Sequence, residues 1–408
     1  MQNFFRRTRT GRRIAVTAAT TLVLALSACG GSSDSESSDD SIRVMFWAGL
    51  TGPVSFPEAL TGMQVGVDEI NQAGGIDGRK VELVTCDYQS DLNKQLACAQ
   101  QAVKENVDAV VGSVTYLGAD QVFSILEKAE IPLIGGNGLT TNELSSSISF
   151  GLPGNAAMMY GNALALADEG VKHPALLHCD TPSCAEAPVL LQDALDLHTG
   201  GSVKLERDVK FAYTAADLLP QAAEAIRGDV DAVVISGAPG TTESLVRGVR
   251  QQGFDGLIVL ADVVAPPKVR EAISDVAEPM VATELYSRLS DTGVPGVQAL
   301  QSALATFDPD GPTDDGTVQR YWSVQLFKAA AERVDGNVDS ASLLEVLRNV
   351  GVGDIESAEL GEITGPVAGL ETSPVENLPN IAFSPTVKNV DWGRDGAEVP
   401  FVNPFVAK

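Results

Sequence analysis

The sequence predicts an α/β fold arranged as two parallel-sheet lobes, and three observations carry that expectation. Arg43 to Tyr88 reads as a buried strand, an amphipathic helix, a tight glycine turn and a second buried strand, which is one complete βαβ unit. Strand and helix patterns keep alternating to Phe150, and a second such series begins after Pro153. The 408 residues, less an N-terminal export signal, suit two domains.

In the opening unit, Leu60, Met63, Val67 and Ile70 recur at helical spacing, and Gly66 between them would let the helix lie close to a sheet. Gly74-Gly75 ends the helix where an L-residue would be strained, and Asp77-Gly78 turns the chain into Val81 to Val84. Leu92, Leu96, Ala99 and Val103 make the next helix face, Ala109 to Val111 a strand, Val122, Ile125, Leu126 and Ala129 another face, and Ile131 to Ile134 a strand. The loops Gly112 to Gly118 and Gly135 to Thr141 follow these strands. Ligands of open parallel sheets sit beyond the carboxyl ends of the strands, so these loops are the expected ligand wall.

The second series comprises Ala175 to Leu177, a helix from about Ala185 to His198, Val203 to Phe211, a helix near Asp217 to Arg227, Ala232 to Ile235, a helix ending at Gly253, and Leu257 to Leu260. Thr214 and Asp217 read as a capping box for its second helix. Helices from about Val297 to Phe307, Val318 to Val334 and Ser340 to Val350 come next, before a tail from Gly365 to Lys408 rich in Pro and Gly.

Arg6, Arg7, Arg9, Arg12 and Arg13 precede an apolar run from Ile14 to Leu26, and Ser27-Ala28-Cys29 follows. A basic start, a short apolar core and a small-residue cleavage site describe a signal peptide over 1–28, too short for an ordinary transmembrane helix. Cys29 matches a lipobox, so cleavage would leave it N-terminal and lipidated, anchoring the chain to the outer face of the cell membrane. Residues 29–41 read as a disordered tether, because Gly30 to Ser41 has no apolar side chain to bury. Removing five of the 28 basic residues leaves 23 against 54 acidic ones, a formal charge of −31. Such a surface repels nucleic acid and anionic lipid headgroups.

Of five cysteines, four remain once Cys29 is lipidated, and an even number in an exported chain suggests disulfides. Cys86 is expected to pair with Cys98 and Cys179 with Cys184, since each pair is local and the alternatives would join different domains. His178, Cys179 and Cys184 lack the fourth ligand a structural metal site needs. The sequence holds no GxSxG, no HExxH and no glycine-rich loop ending in Gly-Lys-Ser/Thr, and Gly136-Asn137-Gly138 is too short for a dinucleotide fingerprint. These absences weigh against an enzyme without excluding one, and no cofactor is expected.

Leu50-Thr51-Gly52-Pro53 after the first strand, then Asp68-Glu69-Ile70-Asn71 running into Gly74-Gly75-Ile76-Asp77-Gly78-Arg79, resembles the opening of the type I periplasmic binding proteins, leucine/isoleucine/valine-binding group. The resemblance implies two doubly wound parallel-sheet lobes joined by a three-stranded hinge, with crossings near Leu152, Leu285 and Gly365. Lobe one would take residues 42–152 and 286–364, and lobe two 153–285 and 365–408, although the tail departs from the family pattern. It implies a receptor that delivers a small amino-acid-like ligand to an ABC permease.

By position, the resemblance gives the ligand-carboxylate role to Thr115 and Tyr116, with Asn137 and Thr140 in the next loop, and the ammonium role to Asp262. Where the family has an aromatic after a lobe-two strand this chain has Ala238, and the Cys179 to Cys184 segment has no aromatic. The stretch Val54 to Pro57 is about two residues shorter than the family's usual loop, which leaves Phe56 as an apolar lid. These departures turn the expectation away from leucine itself; aliphatic or aromatic amino acids, amides such as urea and aromatic carboxylates are all compatible with them. A ligand sensor of the same fold and an exported α/β hydrolase are the alternative functions.

Overall fold

The computed structural model describes residues 41–350, apart from 53–54, 141, 144–145, 153–154, 262–263, 266, 277–278, 285–294 and 314, together with strands beyond 350. The signal peptide, Cys29, Asp262 and the crossings near Leu285 and Gly365 lie outside the described residues.

The chain opens with β1 (Ile42–Ala48), α1 (Glu58–Gln72), β2 (Val81–Asp87), α2 (Leu92–Lys104), β3 (Ala109–Val111), α3 (Ala119–Ala129), β4 (Leu133–Ile134) and β5 (Ser149–Phe150). These strands form one parallel sheet in the order β2-β1-β3-β4-β5. Next come α4 (Asn155–Asp168), β6 (Pro174–Cys179), α5 (Ala187–Thr199), β7 (Arg207–Phe211), α6 (Leu219–Ala225), β8 (Ala232–Ser236), α7 (Pro239–Gln251), β9 (Leu257–Ala261), α8 (Pro267–Ile273) and β10 (Met280–Glu284). They pair in parallel as β7-β6-β8-β9-β10, the order of the first sheet over again. The helices α9 (Pro295–Phe307), α10 (Asp315–Ala331) and α11 (Ser340–Val350) follow, then β11 (Glu371–Thr372), β12 (Ala382–Phe383), β13 (Thr386–Asp391) and β14 (Glu398–Pro400). β13 joins the second sheet antiparallel to β10, and β14 pairs antiparallel to β13. Among the described residues, no helix is long and apolar enough to cross a membrane.

The pleat explains why strands such as Ala232–Ser236 and Leu257–Ala261 are buried along their length. Leu176, Val234, Val259 and Val281 point to one face of the second sheet, where α4 and α5 cover them. Leu177, Ile235, Leu260 and Ala282 point to the other, under α6, α7 and α8. A sheet covered on both faces has no polar side, so its strands read as continuous apolar runs. Each buried Leu, Ile or Val there contributes about 1.5–3 kcal/mol.

Residues from α10 belong to the core of the first sheet: Val318, Tyr321, Trp322, Val324 and Phe327 pack with Met45, Met63 and Val111. Here one sequence reading is corrected. Gly66 faces not a sheet but α10, and a Cβ on it would stand 2.9 Å from Val324 Cβ, while one on Gly62 would stand 2.1 Å from the Thr317 carbonyl oxygen. The bare face of α1 thus brings two helix backbones into contact. Glu69 secures the pair by accepting from Tyr321 Oη at 2.7 Å and Gln325 Nε2 at 2.9 Å.

Two further readings shift. On α2 the buried face is Gln95, Cys98, Ala99 and Ala102, whereas Leu92 and Val103 are 42% and 36% exposed. The cause is covalent: Cys98 is bonded to Cys86 on β2, with Cα atoms 5.8 Å apart, which turns that edge of the helix inward. The helix α6 starts at Leu219, with Pro220 in its first turn and Asp217 Oδ1 accepting from the Leu219 N–H at 3.0 Å, so no Thr214–Asp217 box forms.

Candidate functional site

Both sheets direct the carboxyl ends of their strands at one cavity of about 150 Å³. From the first sheet, Phe56 after β1, Val114 and Tyr116 after β3, and Asn137 and Leu139 after β4 line it. From the second, Thr181, Ser183 and Cys184 after β6, Tyr213 after β7, Gly237 and Ala238 after β8, and Val264 after β9 do the same. The repeated strand order places this cavity beside the switch points of both sheets, where the crossovers diverge and leave a crevice. Most of the lining is apolar. That suits a ligand with an apolar body.

Asn137, Gln319 and Arg320 group at one corner, while Thr181, Ser183 and Ser236 line the second-sheet side. Asn137 Nδ2 donates to Gln319 Oε1 at 3.2 Å, and Arg320 Nη2 donates to Asn137 Oδ1. Arg320 is only 2% exposed, yet it lines the cavity. Its helix is pressed against the strand ends: a Cβ on Gly135, at the end of β4, would lie 2.5 Å from Ser323 Cβ, and Ser323 Oγ donates to the Gly135 carbonyl at 2.8 Å. Gly135 has φ +69°, so both its space and its backbone exclude a side chain. Glu143, itself 2% exposed, ties the ligand loop from behind, its Oε1 accepting from the Gly138 N–H at 2.9 Å and its Oε2 from the Leu139 N–H at 3.0 Å. Burial pushes its carboxyl up to about 7 against the opposing pull of these donors and of the Arg320 charge.

The second-sheet side is shaped by a short covalent loop. Cys179 and Cys184 are bonded, with Cα atoms 5.4 Å apart across a 3₁₀ turn at Pro182–Cys184. Thr181 Oγ1 lies 3.0 Å from Cys179 Sγ and 2.9 Å from Ser183 Oγ, so the loop hydroxyls are knitted to one another. Ala238 caps α7 through its backbone: its N–H donates to Thr241 Oγ1 at 3.0 Å and its carbonyl accepts from the Thr242 N–H at 3.0 Å. Tyr116 and Tyr213 bring the two walls together, with ring centroids 6.5 Å apart, and Tyr88 packs edge-on against Tyr116 at 5.6 Å.

Of the residues singled out in the sequence, Phe56, Tyr116 and Asn137 line the cavity. Thr115 and Thr140 stand behind it. Thr115 Oγ1 accepts from Trp47 Nε1 at 3.1 Å, and Thr140 Oγ1 accepts from the Glu143 N–H at 3.2 Å, so both hydroxyls hold loops in place. Asp262 lies outside the described residues, between Ala261 and Val264, which both line the cavity. Gln319, Arg320, Tyr213 and Met159 line it without having been singled out. The sequence signal available was weak, Gln319-Arg320 beside Tyr321-Trp322 in a helix that also carries Thr317, Ser323, Gln325 and Lys328. His178 Nε2 contacts Asp208 Oδ1 at 2.9 Å, and its neighbouring cysteines are bonded to each other. Among the described residues, no group of three or more His, Cys, Asp or Glu is placed to hold a metal ion.

A family model described as periplasmic binding protein matches residues 41–367. The chain belongs to that family. Within it, the chain groups with the type I branch that includes Leu/Ile/Val-binding proteins. The Leu/Ile/Val-binding protein BraC3 of Rhizobium johnstonii is 25% identical over 344 residues, 79% of this chain and 89% of that protein. Among solved structures, an extracellular ligand-binding receptor from Verminephrobacter eiseniae superposes with a TM-score of 0.76 at 18% identity, over 88% of this chain and 99% of that one. A fatty acid ABC transporter substrate-binding protein from Thermomonospora curvata superposes with a TM-score of 0.71 at 17% identity, over 91% and 95% of the two chains. As a periplasmic binding protein, the chain is an exported substrate-binding protein of the ABC-transporter type.

Proposed function

We propose that this protein is the lipid-anchored solute receptor of an ABC importer, and that it binds a small amino-acid-like ligand in the cleft between its two sheets. The observation that carries the reading is the cavity itself, walled by strand-end loops of both sheets and mostly apolar, with Asn137, Gln319 and Arg320 grouped at one corner. Lobe one would comprise 42–152 and 286–364 and lobe two 153–285 and 365–408, closing on the ligand by hinge motion at crossings near Leu152, Leu285 and Gly365. The 1–28 segment acts as signal peptide, Cys29 carries the lipid, and 29–41 is the tether. Replacing Cys29 with Ser should release the protein from membranes, and retention would mean another anchor.

Phe56, Tyr116 and Asn137 act as cleft contacts, Thr115 and Thr140 as supports of the loops that carry them, and Asp262 as the partner of a ligand ammonium. The Leu/Ile/Val-binding name of one relative and the fatty acid named for one structural neighbour bracket the ligand: small, amphipathic and apolar in its body. The chain binds and releases it unchanged. Titration calorimetry with leucine, phenylalanine and their des-amino acids tests this. Saturable binding, recovery of unaltered ligand and a loss of more than about tenfold for amino acids in Asp262→Ala support the reading. Turnover of the ligand would refute it, and an unchanged dissociation constant would remove the ammonium role.

A further inference from the structure

We infer that Ser236, together with Thr181 of the disulfide loop beside it, forms a second polar subsite on the lobe-two side of the cleft, and that this subsite takes a neutral hydroxyl of the ligand. This rests on the receptor reading above and is independent of Asp262.

Ser236 ends β8, lines the cavity and is only 7% exposed, yet its hydroxyl has no hydrogen-bond partner among the described residues. Leu176 and Val234 point to the face of the sheet that α4 and α5 cover, and His178 and Ser236, paired in register, are the next residues on that face. There α4 brings Met158 and Met159 to the same cavity. His178 does not take the serine hydroxyl: its Nε2 is engaged by Asp208 Oδ1 at 2.9 Å, and its Nδ1 is buried without a partner among the described residues. Thr241 and Thr242, on the helix that follows, spend their hydroxyls on the Ala238 backbone. The backbone beyond Ser236 is held in place, since a Cβ on Gly237 would stand 2.9 Å from Phe211 Cζ and 2.7 Å from Thr241 Oγ1. A hydroxyl so placed is satisfied by what enters the cavity.

The neighbouring loop decides what kind of group fits. Cys184 Sγ lies 4.0 Å from the Ser236 carbonyl oxygen, which sets the disulfide loop against the end of β8. A disulfide sulfur carries no hydrogen, so the Thr181 hydroxyl donates to Cys179 Sγ at 3.0 Å, and the Ser183 hydroxyl in turn donates to Thr181 Oγ1 at 2.9 Å. With its hydrogen spent, Thr181 is left with an acceptor lone pair. A ligand hydroxyl both donates and accepts, so it can engage that lone pair and Ser236 together. A carboxylate only accepts, and would have Ser236 alone. Among the described residues, the second-sheet lining holds no charged side chain to offset the desolvation of an ion, which favours a neutral group at this position.

Three pairs that exchange a hydroxyl for a methyl group of similar size test the inference on the full chain: threonine and valine, tyrosine and 4-methylphenylalanine, 4-hydroxyphenylacetate and 4-methylphenylacetate. Calorimetry should show at least one hydroxyl compound binding saturably, with its methyl partner weaker by roughly ten- to hundredfold. Ser236→Ala should bring that compound down to the level of its methyl partner while changing the partner by less than about threefold. Methyl compounds that bind as tightly as their hydroxyl partners, or more tightly, in every pair that binds overturn the subsite and leave the receptor reading standing. So does a Ser236→Ala variant that weakens both members equally or neither. Absence of saturable binding by all six compounds below about 1 mM overturns both. If Ser236→Ala fails to fold, the comparison within pairs on the unaltered protein still decides.

Discussion

The first-sheet wall of the cleft carries its polar groups as a connected set, Asn137 to Gln319 and Arg320, backed by the buried Glu143. The second-sheet wall, built on the same strand order, presents the Cys179–Cys184 loop, Ile235, Ala238 and Tyr213. Among the described residues, the first wall carries a buried charge at Arg320, whereas the second offers neutral polar groups at Thr181, Ser183 and Ser236. The difference shows that topology fixes where a cleft forms, while the residues at the strand ends fix what each side does.

The two disulfides give the sharpest way to break this comparison. Cys86–Cys98 joins β2 to α2 away from the cavity, and Cys179–Cys184 forms part of the cavity wall. Changing Cys86 and Cys98 together to Ser should lower stability by about 3 kcal/mol in the loop-entropy account and leave ligand affinity within about twofold. Changing Cys179 and Cys184 should lower stability by about 2 kcal/mol, and should also weaken the ligand by about tenfold or more as the loop loses its shape. Denaturant melts and calorimetry on both variants check this. Equal effects on affinity would mean that the second wall is not an independent binding element.

A smaller effect separates the two carboxylates that pin ligand-side loops. Glu143 is raised from 4.5 to about 7 by burial, so between those values the folded chain holds a proton that the unfolded chain has lost. Its contribution is full below pH 4.5 and is lost as pH rises to about 7, with a slope no steeper than about 1.4 kcal/mol per pH unit. For Asp87, burial opposes ionisation, but hydrogen bonds from Thr51 Oγ1 and from the Gln89, Thr51 and Leu50 N–H groups outweigh it and hold the carboxyl below its usual 3.8. That contribution runs the other way: it is present above pH 3.8 and is lost as pH falls through the depressed value. Urea melts from pH 3 to 8 should show Glu143→Gln flattening the neutral side of the curve and Asp87→Asn flattening the acid side.

Much of the fold was legible because its signals are local. The βα alternation, the glycine turn after α1 and the span Ser340–Val350 depend on residues close in sequence, and hydrophobic periodicity reports them directly. Periodicity was half right on α2: Ala99 and Leu96 pack on the core, but Leu92 and Val103 are exposed, where the bond from Cys98 to β2 turns another edge inward. It misassigned Gly66 as well, since a bare helix face looks the same whether a sheet or another helix lies against it. In the cleft, Phe56, Tyr116 and Asn137 were legible as loop residues after strands. Arg320 was not, because its partner Asn137 stands 183 positions away.

The sequence by itself determined the α/β class, the two series of strands, the short disulfide loops and the family, all of which follow from composition, spacing and motif within a few tens of residues. Only the tertiary structure decided which hydroxyls reach the cavity and which support loops, and that α10 delivers a buried arginine to the polar corner. Side-chain direction at a strand end is set by what packs behind it. For Asn137 that is a helix from the far end of the chain, pressed onto Gly135 where no side chain keeps it away.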